Sequence, residues 1–217
     1  MTGPLITPAD YRRACRYLAV RDPVMAAIIR RQGPCGMGRV KRSDSYLALV
    51  EAIVWQQLSV KAAATIYARL LAAFPTNDGL TSAAVGKSRR ERLRGAGLSW
   101  AKVDYLKDLS TKVNRGTLDL DSLETLSDDE VIAALTSVKG IGRWSADMFL
   151  MFRLGRPDVF PVGDLGIVKA MQTAYRMRKP PIPKRMLKIA EPWRPYRSVA
   201  SWYLWESVEN SPLNGRP

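Results

Sequence analysis

Apolar residues recur at helical spacing along most of the chain. Leu47, Val50 and Val54 fall on one face of a predicted helix, and Ile66 and Leu70 fall on one face of the next. The strict alternation of apolar and polar residues that marks a half-buried strand is absent. Glycines and prolines interrupt the helical pattern at intervals, which predicts about nine helices. The pattern therefore predicts an all-α fold.

One predicted helix has a well-defined start. Ser127 precedes Asp128, Asp129 and Glu130, and a serine followed three residues later by a glutamate is the signature of a capping box. In a capping box the serine side chain accepts a hydrogen bond from the glutamate amide, and the glutamate reaches back to the serine. We expect a helix from about residue 128 to about residue 137.

The charge of the chain narrows its possible partners. Lysine and arginine number 34 against 20 acidic residues, which gives a formal net charge of +14. Such a field attracts polyanions, so nucleic acid is favoured over an anionic membrane or a merely solvated basic surface. Residues 119–130 hold acidic residues and no basic one. We expect that segment to face away from phosphates.

The composition excludes several kinds of chemistry. The chain contains no histidine, which rules out Ser-His-Asp, Cys-His and histidine-ligated metal mechanisms. Cys15 and Cys35 are too few for a four-cysteine iron-sulfur cluster or zinc site. No signal peptide and no apolar run of membrane-spanning length is evident. We expect a cytoplasmic protein that does not bind membranes, associated with the nucleoid if the source is bacterial.

Two glycines around one apolar residue separate two predicted helices. The sequence Gly140-Ile141-Gly142 follows Lys139 and precedes Arg143. Glycines let the backbone turn sharply and let helix-start amides approach a phosphate, while Ile141 is expected to anchor the turn in the core. A glycine pair of this kind is also compatible with an ordinary turn between helices.

An aspartate follows a second interruption of the helical pattern. Asp164 comes after Pro161, Val162 and Gly163 and precedes a helical run. This position predicts a helix N-terminus, where an aspartate can act as an N-cap worth about 1 kcal/mol. The local sequence leaves open whether this carboxylate also has a chemical role.

Together these motifs resemble those of a known enzyme superfamily. Residues 135–147 resemble the hairpin of the helix-hairpin-helix (HhH-GPD) DNA glycosylases. The blocks 51–59, 157–164 and 191–198 agree, in the same order, with the alkylation-repair branch of that superfamily. The chain looks most similar to the DNA-3-methyladenine glycosylase II branch. The resemblance implies a base-excision repair enzyme that flips alkylated bases, such as 3-methyladenine, out of duplex DNA and removes them hydrolytically, leaving an abasic site.

The resemblance also implies an architecture of two helical lobes with the active cleft between them. One lobe would comprise residues 42–156 and carry the hairpin. The other would combine residues 1–41 with residues 157–217, and the two would form one catalytic unit. A monomer is expected.

The catalytic carboxylate is assigned by resemblance. Members of the superfamily carry their catalytic aspartate at the position of Asp164, where an anion would stabilise the positive charge that develops on the sugar. Asp147, expected to be exposed on its helix, is a distant rival. Bifunctional relatives have a Schiff-base lysine where this chain has Trp144, and tryptophan cannot form an imine. Base removal without strand cleavage is therefore expected.

The base pocket and the DNA contacts are assigned in the same way. Trp144, Met148 and Trp193 would line the pocket, with the face of Trp193 receiving the flipped base. Trp202 and Trp205, at helical spacing, are expected to fill the core. Either Gln56 or Gln57, with Gln57 favoured, would fill the gap left in the duplex. The expected DNA-binding residues of the hairpin are Lys139, Gly140, Ile141, Gly142 and Arg143.

The resemblance implies no required cofactor. The superfamily holds a monovalent cation in its hairpin, and here the backbone carbonyls of Thr136, Val138 and Gly140 would bind Na⁺ or K⁺. The expected partner is damaged double-stranded DNA. Three alternatives remain: a bifunctional glycosylase/AP lyase, a non-enzymatic helix-hairpin-helix DNA-binding protein, and an RNA or membrane binder. The lysine missing at Trp144 disfavours the first, a binding module would not need Asp164, and the last explains only the charge.

Overall fold

The structure is a computed structural model that describes residues 7–39, 44–75 and 79–208 of the 217. These residues contain no strand, so the predicted all-α fold class is confirmed. The described α-helices are α1 (Pro8–Arg21), α2 (Pro23–Gln32), α3 (Ser45–Trp55), α4 (Val60–Ala72), α5 (Ser82–Lys87), α6 (Arg90–Gly95), α7 (Trp100–Asn114), α8 (Asp128–Thr136), α9 (Arg143–Met148), α10 (Leu165–Ala174), α11 (Pro183–Ala190) and α12 (Arg197–Ser207).

The prediction of about nine helices was too low. The described residues hold twelve α-helices because several breaks use polar caps rather than glycine. Ser88 and Arg89 alone separate α5 from α6. Asp22 both ends α1 and caps α2, with its carboxylate accepting the amides of Val24 and Met25. Helix boundaries formed by polar caps are missed when helices are counted from glycine and proline breaks.

The predicted capping box is confirmed. The Ser127 side chain accepts a hydrogen bond from the Glu130 amide, and the Glu130 carboxylate accepts one from the Ser127 amide at 2.8 Å. The helix α8 that begins there ends at Thr136, with Ser137 as its C-cap, as expected from the sequence. The start of the helix that leads into the hairpin is therefore fixed by local side-chain chemistry.

The chain divides into two compact units, one made of residues 1–42 with 150–217 and one of residues 43–149. In the first, α12 packs against α2 and α10, and its residues from Arg197 to Trp205 are all buried. The predicted lobe boundaries at 42 and 156 stay predictions, and residue 42 lies outside the described residues. No helix among the described residues is long and apolar enough to span a bilayer.

The second unit is built around α7. This helix packs against α3, α5 and α6, and α8 packs against α9. The core side of α7 buries Val103, Leu106 and Leu109 completely. Because α7 runs through the middle of this unit, its remaining faces can reach both the end of α3 and the turn between α8 and α9.

Candidate active site

The turn between α8 and α9, residues 137–142, is the predicted hairpin. Ile141 is buried, as expected for the residue that anchors the turn. Gly140 has φ of +79°, and a Cβ added there would lie 2.2 Å from the Tyr105 ring. Gly142 is the N-cap of α9 with φ of −95°, and a Cβ added there would meet nothing within 4 Å. The first glycine is required by the fold, and the second leaves the approach to the α9 amides open.

A carboxylate from α7 holds the hairpin. Asp108 accepts the Lys139 amide at 2.8 Å and forms an ion pair with Lys112 at 2.7 Å. Burial alone would raise the pKa of Asp108, but the hydrogen bonds from Lys112 and the Lys139 amide, with the charges of both lysines, lower it. The Lys139 amide is thus bound to Asp108, and the predicted contact of the Lys139 side chain with DNA stays a prediction. Sequence reasoning missed Asp108, which lies 31 residues before Lys139.

The two glutamines after α3 have different environments. Gln56 is the C-cap of α3, and its Nε2 donates to the Gly140 carbonyl at 2.8 Å. Gln57 is exposed and adopts φ of +57°, a conformation that costs a non-glycine residue about 1–2 kcal/mol. Backbone strain of this kind persists only where the surroundings impose it and is concentrated at functional sites. The structure thus separates a side chain tied to the hairpin from one presented to solvent.

A lysine from α7 fixes the end of α3. Lys102 Nζ donates to the carbonyls of Val54 and Gln56, both at 2.7 Å, and burial lowers the pKa of this lysine. Lys102, Tyr105 and Asp108 follow one another at three-residue intervals on α7, so they lie along neighbouring positions of one side of that helix. We call these three residues the α7 bracket. The bracket contacts both the end of α3 and the hairpin, and no sequence motif marks it.

The hairpin carbonyls can be compared with the predicted cation site. The Gly140 carbonyl accepts Gln56 Nε2, and the Val138 carbonyl accepts the Ile141 amide at 3.1 Å. A carbonyl oxygen has two lone pairs, so each can accept a further partner. Neutral oxygen donors from Thr136, Val138 and Gly140 suit Na⁺ or K⁺ in their chemistry, and the ion stays a prediction.

The residues of α9 differ in exposure from its start to its end. Trp144 is 45% exposed, whereas Met148 is buried. The expectation that Asp147 is exposed was wrong: it is 5% exposed and accepts Arg143 Nε at 2.9 Å. Burial raises the pKa of Asp147, although the hydrogen bond and charge of Arg143 oppose the rise. An arginine four residues earlier supplies the partner that lets this carboxylate be buried.

Asp164 lies at the N-terminus of α10, as predicted. It is the N-cap residue, is 9% exposed, and its Oδ1 accepts the Ile167 amide at 2.8 Å. The same oxygen accepts Trp205 Nε1 at 2.9 Å. Trp202 and Trp205 are both buried, so their expected place in the core is confirmed. Sequence reasoning missed that the Trp205 indole also reaches Asp164, because only the packing of α10 on α12 brings the two together.

Trp193 does not present an open face in this structure. It is fully buried, its Nε1 donates to Asp22 Oδ2 at 2.8 Å, and it packs edge to face with Phe160 at 5.7 Å. Tyr175 donates to the same Asp22 oxygen at 2.6 Å. The predicted role of Trp193 as a stacking surface for a base is therefore corrected: it is a core residue here. Burial of an indole requires a partner for its N–H, and Asp22 supplies one.

The blocks at 157–164 and 191–198 pack on each other. Arg197 forms two hydrogen bonds with the Asp158 carboxylate, Nε to Oδ1 at 2.7 Å and a terminal nitrogen to Oδ2 at 2.9 Å. The Ser198 hydroxyl donates to the Arg156 carbonyl and accepts the Val159 amide. These contacts secure the segment that leads into Asp164. Asp158, Arg197 and Ser198 of these two blocks thus have structural roles.

Comparisons with known proteins match most of the chain. A sequence model of the HhH-GPD family, described as the HhH-GPD superfamily of base excision DNA repair proteins, matches residues 50–195. The match includes the end of α3, the hairpin and Asp164.

Two curated relatives and one solved structure carry related names. A putative DNA-3-methyladenine glycosylase of Bacillus subtilis is 33% identical over 76% of this chain, a match that spans 59% of the relative. DNA-3-methyladenine glycosylase 1 of Schizosaccharomyces pombe is 34% identical over 77% of this chain and 74% of its own length. The structure of a Schizosaccharomyces pombe 3-methyladenine DNA glycosylase with abasic DNA superposes with a TM-score of 0.79 at 32% identity, covering 91% of this chain and 97% of that one. The chain belongs to the HhH-GPD superfamily of base excision DNA repair proteins.

Proposed function

We propose that this protein is a monofunctional DNA glycosylase that flips alkylated bases of the 3-methyladenine type out of duplex DNA and removes them hydrolytically. The names of its relatives support this substrate class. Damaged double-stranded DNA is the proposed partner. The strongly basic composition suits a polyanion of this kind.

The observation that carries the proposal is the placement of Asp164. A carboxylate capping α10 lies in the positive field of the helix N-terminus, and two N–H donors hold its Oδ1. Cleavage of an N-glycosidic bond leaves positive charge on the sugar, and a fixed anion beside it lowers the barrier.

The reaction is a hydrolysis. The bond between the sugar carbon and the base nitrogen breaks, and its electron pair leaves with the base. An alkylated purine already carries a positive charge, so it departs as a neutral base without a separate acid. Water then bonds to the sugar carbon and gives up a proton, for which Asp164 is the proposed acceptor. By the resemblance, Trp144 stands where bifunctional relatives have a lysine that forms an imine with the sugar. Tryptophan cannot form an imine, so strand cleavage by that route is not expected.

Binding to DNA is assigned to the second unit. Lys139 and Arg143 flank the hairpin glycines, and contacts to phosphates from such side chains position a protein without reading sequence. Gln57, exposed at the end of α3, is the proposed wedge, while Gln56 braces the hairpin. Trp144, at the start of α9 beside the hairpin, has an exposed ring, and a cationic base gains about 0.5–2 kcal/mol over an indole face. A Na⁺ or K⁺ ion on the hairpin carbonyls would add positive charge next to a bound phosphate.

The test is the Asp164→Asn variant in single-turnover excision from a methylated duplex. Asparagine keeps the size of the side chain and can cap a helix, but it removes the charge. We expect the excision rate to fall about 10²- to 10³-fold while binding to abasic DNA is retained. Asp129→Asn, which changes an exposed carboxylate on α8, should excise normally.

Two outcomes would contradict the proposal. A near wild-type rate for Asp164→Asn would show that this residue is only a helix cap. Strand breaks at the excised sites, formed without added base or lyase, would favour the bifunctional alternative. The same gel separates both outcomes, because alkaline treatment reveals abasic sites and untreated samples reveal strand cleavage.

A further inference from the structure

The first unit contains a cavity formed by α1, α2, residues 33–38 and one side chain of α12. Its volume is about 620 Å³, within the range of about 300–1,000 Å³ that small-molecule sites occupy. The residues that line it include Tyr11 and Cys15 of α1, Ile29 of α2 and Tyr203 of α12. None of the described residues that line it is one assigned above to base excision or to DNA binding. The cavity is therefore a separate feature of this unit.

The wall of the cavity is only weakly polar. The Tyr203 hydroxyl donates to the Gly33 carbonyl at 2.8 Å and lies 3.2 Å from Cys15 Sγ, so its polar atom already has partners. Burial raises the pKa of the Cys15 and Cys35 thiols, so both are protonated at neutral pH. A protonated thiol is neither a nucleophile nor a metal ligand and behaves as a small apolar group. The wall therefore suits an apolar molecule that binds without forming a covalent bond.

The rim of the cavity is positively charged. Arg12 and Arg16 of α1 and Arg30 of α2 line it, and all three are exposed. No acidic residue is among the described residues that line the cavity, and none of these arginines forms an ion pair with another described residue. Arg12 and Arg16 are four residues apart on one helix, so their like charges repel each other. An anion held between them would relieve that repulsion.

We propose that this cavity binds a small amphipathic anion, with its apolar body in the cavity and one carboxylate or sulfonate group against Arg12, Arg16 and Arg30. The volume, the apolar wall and the charged rim each match one part of such a molecule. A DNA backbone would use the arginines but would leave the apolar cavity empty, so DNA is not the proposed occupant. This site goes beyond the proposed glycosylase activity and does not depend on it.

The test uses two fluorescent dyes that share an apolar ring system. One, 8-anilino-1-naphthalenesulfonate, carries a sulfonate, and the other, N-phenyl-1-naphthylamine, does not. We expect the full chain to bind one molecule of the sulfonated dye, more tightly than the neutral dye, and to release it when octanoate is added. Arg12→Gln, Arg16→Gln and Arg30→Gln should each weaken binding of the sulfonated dye about 2- to 5-fold, as for loss of an exposed ion pair. The affinity for the neutral dye should not change in these variants.

The matched control is Arg31→Gln, which removes the same charge from the next position of α2, outside the cavity lining. It should bind both dyes as the wild type does, whereas Ile29→Trp, which puts a larger ring into the cavity, should bind neither. Unchanged dye affinity in all three rim variants would overturn the proposal, and so would an equal loss in Arg31→Gln. Displacement of the sulfonated dye by abasic duplex DNA would also overturn it, since the arginines would then belong to a DNA-binding surface. If Ile29→Trp fails to fold, the arginine variants, whose changes are on the surface, still decide.

Discussion

Replacing Gly140 with alanine should destabilise the protein through two separate effects. The residue has φ of +79°, where an L-residue pays about 1–2 kcal/mol. The new Cβ would also lie within 2.2–2.5 Å of three Tyr105 ring atoms, and overpacking of this kind costs about 1–3 kcal/mol. The free energy of unfolding should therefore fall by about 2–5 kcal/mol, which lowers the unfolding midpoint by about 2–4 °C for each kcal/mol.

A double-mutant cycle separates the two effects. Tyr105→Ala removes the ring that the new Cβ would strike, so the combined variant should recover the overpacking part, with a coupling energy of about 1–3 kcal/mol. Gly142→Ala is the matched control, because its φ is ordinary and its Cβ position is open. That control should lose at most about 1 kcal/mol while binding DNA more weakly. Urea unfolding would be measured for the wild type, the two single variants, the double variant and the Gly142→Ala control. The reasoning is refuted if Gly140→Ala is as stable as the wild type, or if Gly142→Ala loses as much stability as Gly140→Ala.

Two further predictions concern the α7 bracket. Asp108→Asn keeps an acceptor for the Lys139 amide but loses the ion pair with Lys112, at a cost of about 1 kcal/mol at pH 7. The pKa of Asp108 is lowered from its ordinary 3.8, so this stabilisation is present above pH 3.8 and is lost as the pH falls through the folded-state pKa. The urea unfolding curves of variant and wild type should therefore converge in acid. A difference in stability that persisted in acid would contradict the assignment. Lys102→Met keeps the apolar stem but removes the donor to two carbonyls of α3, so it should cost about 1–3 kcal/mol and weaken abasic-DNA binding, with partial rescue by Lys102→Arg. Unchanged melting and binding would show that water replaces the ammonium group.

The features that sequence could supply are local ones. The capping box at Ser127 and the N-cap at Asp164 follow from residues three positions apart, and helix caps are decided within one turn. The hairpin glycines were identified for the same reason. The assignment of Asp164 as catalytic came from resemblance, since an N-cap and a catalytic carboxylate look identical in a single sequence.

The features that sequence missed depend on distant contacts. Asp108 meets the Lys139 amide across 31 residues, and Trp205 meets Asp164 across 41. No periodicity records which side chain of a packed helix will face a given turn. The burial of Asp147 and of Trp193 was mispredicted for one reason. Each has a polar group that can be buried because it has a hydrogen-bond partner, Arg143 for Asp147 and Asp22 for Trp193.

The division of the chain has a consequence for the order in which it folds during synthesis. Residues 43–149 form a unit that is continuous in sequence, so all its contacts are available once that stretch has left the ribosome. The other unit joins residues 1–42 to residues 150–217. The hydrogen-bond donors to the Asp22 carboxylate, Tyr175 and Trp193, are synthesised 153 and 171 residues later. At about 5–20 residues per second that wait lasts on the order of ten seconds or more. For that interval, and until α12 has also been made, α1 and α2 lack the helix that packs against them, so their apolar sides stay exposed for longer than those of the unit that holds the hairpin.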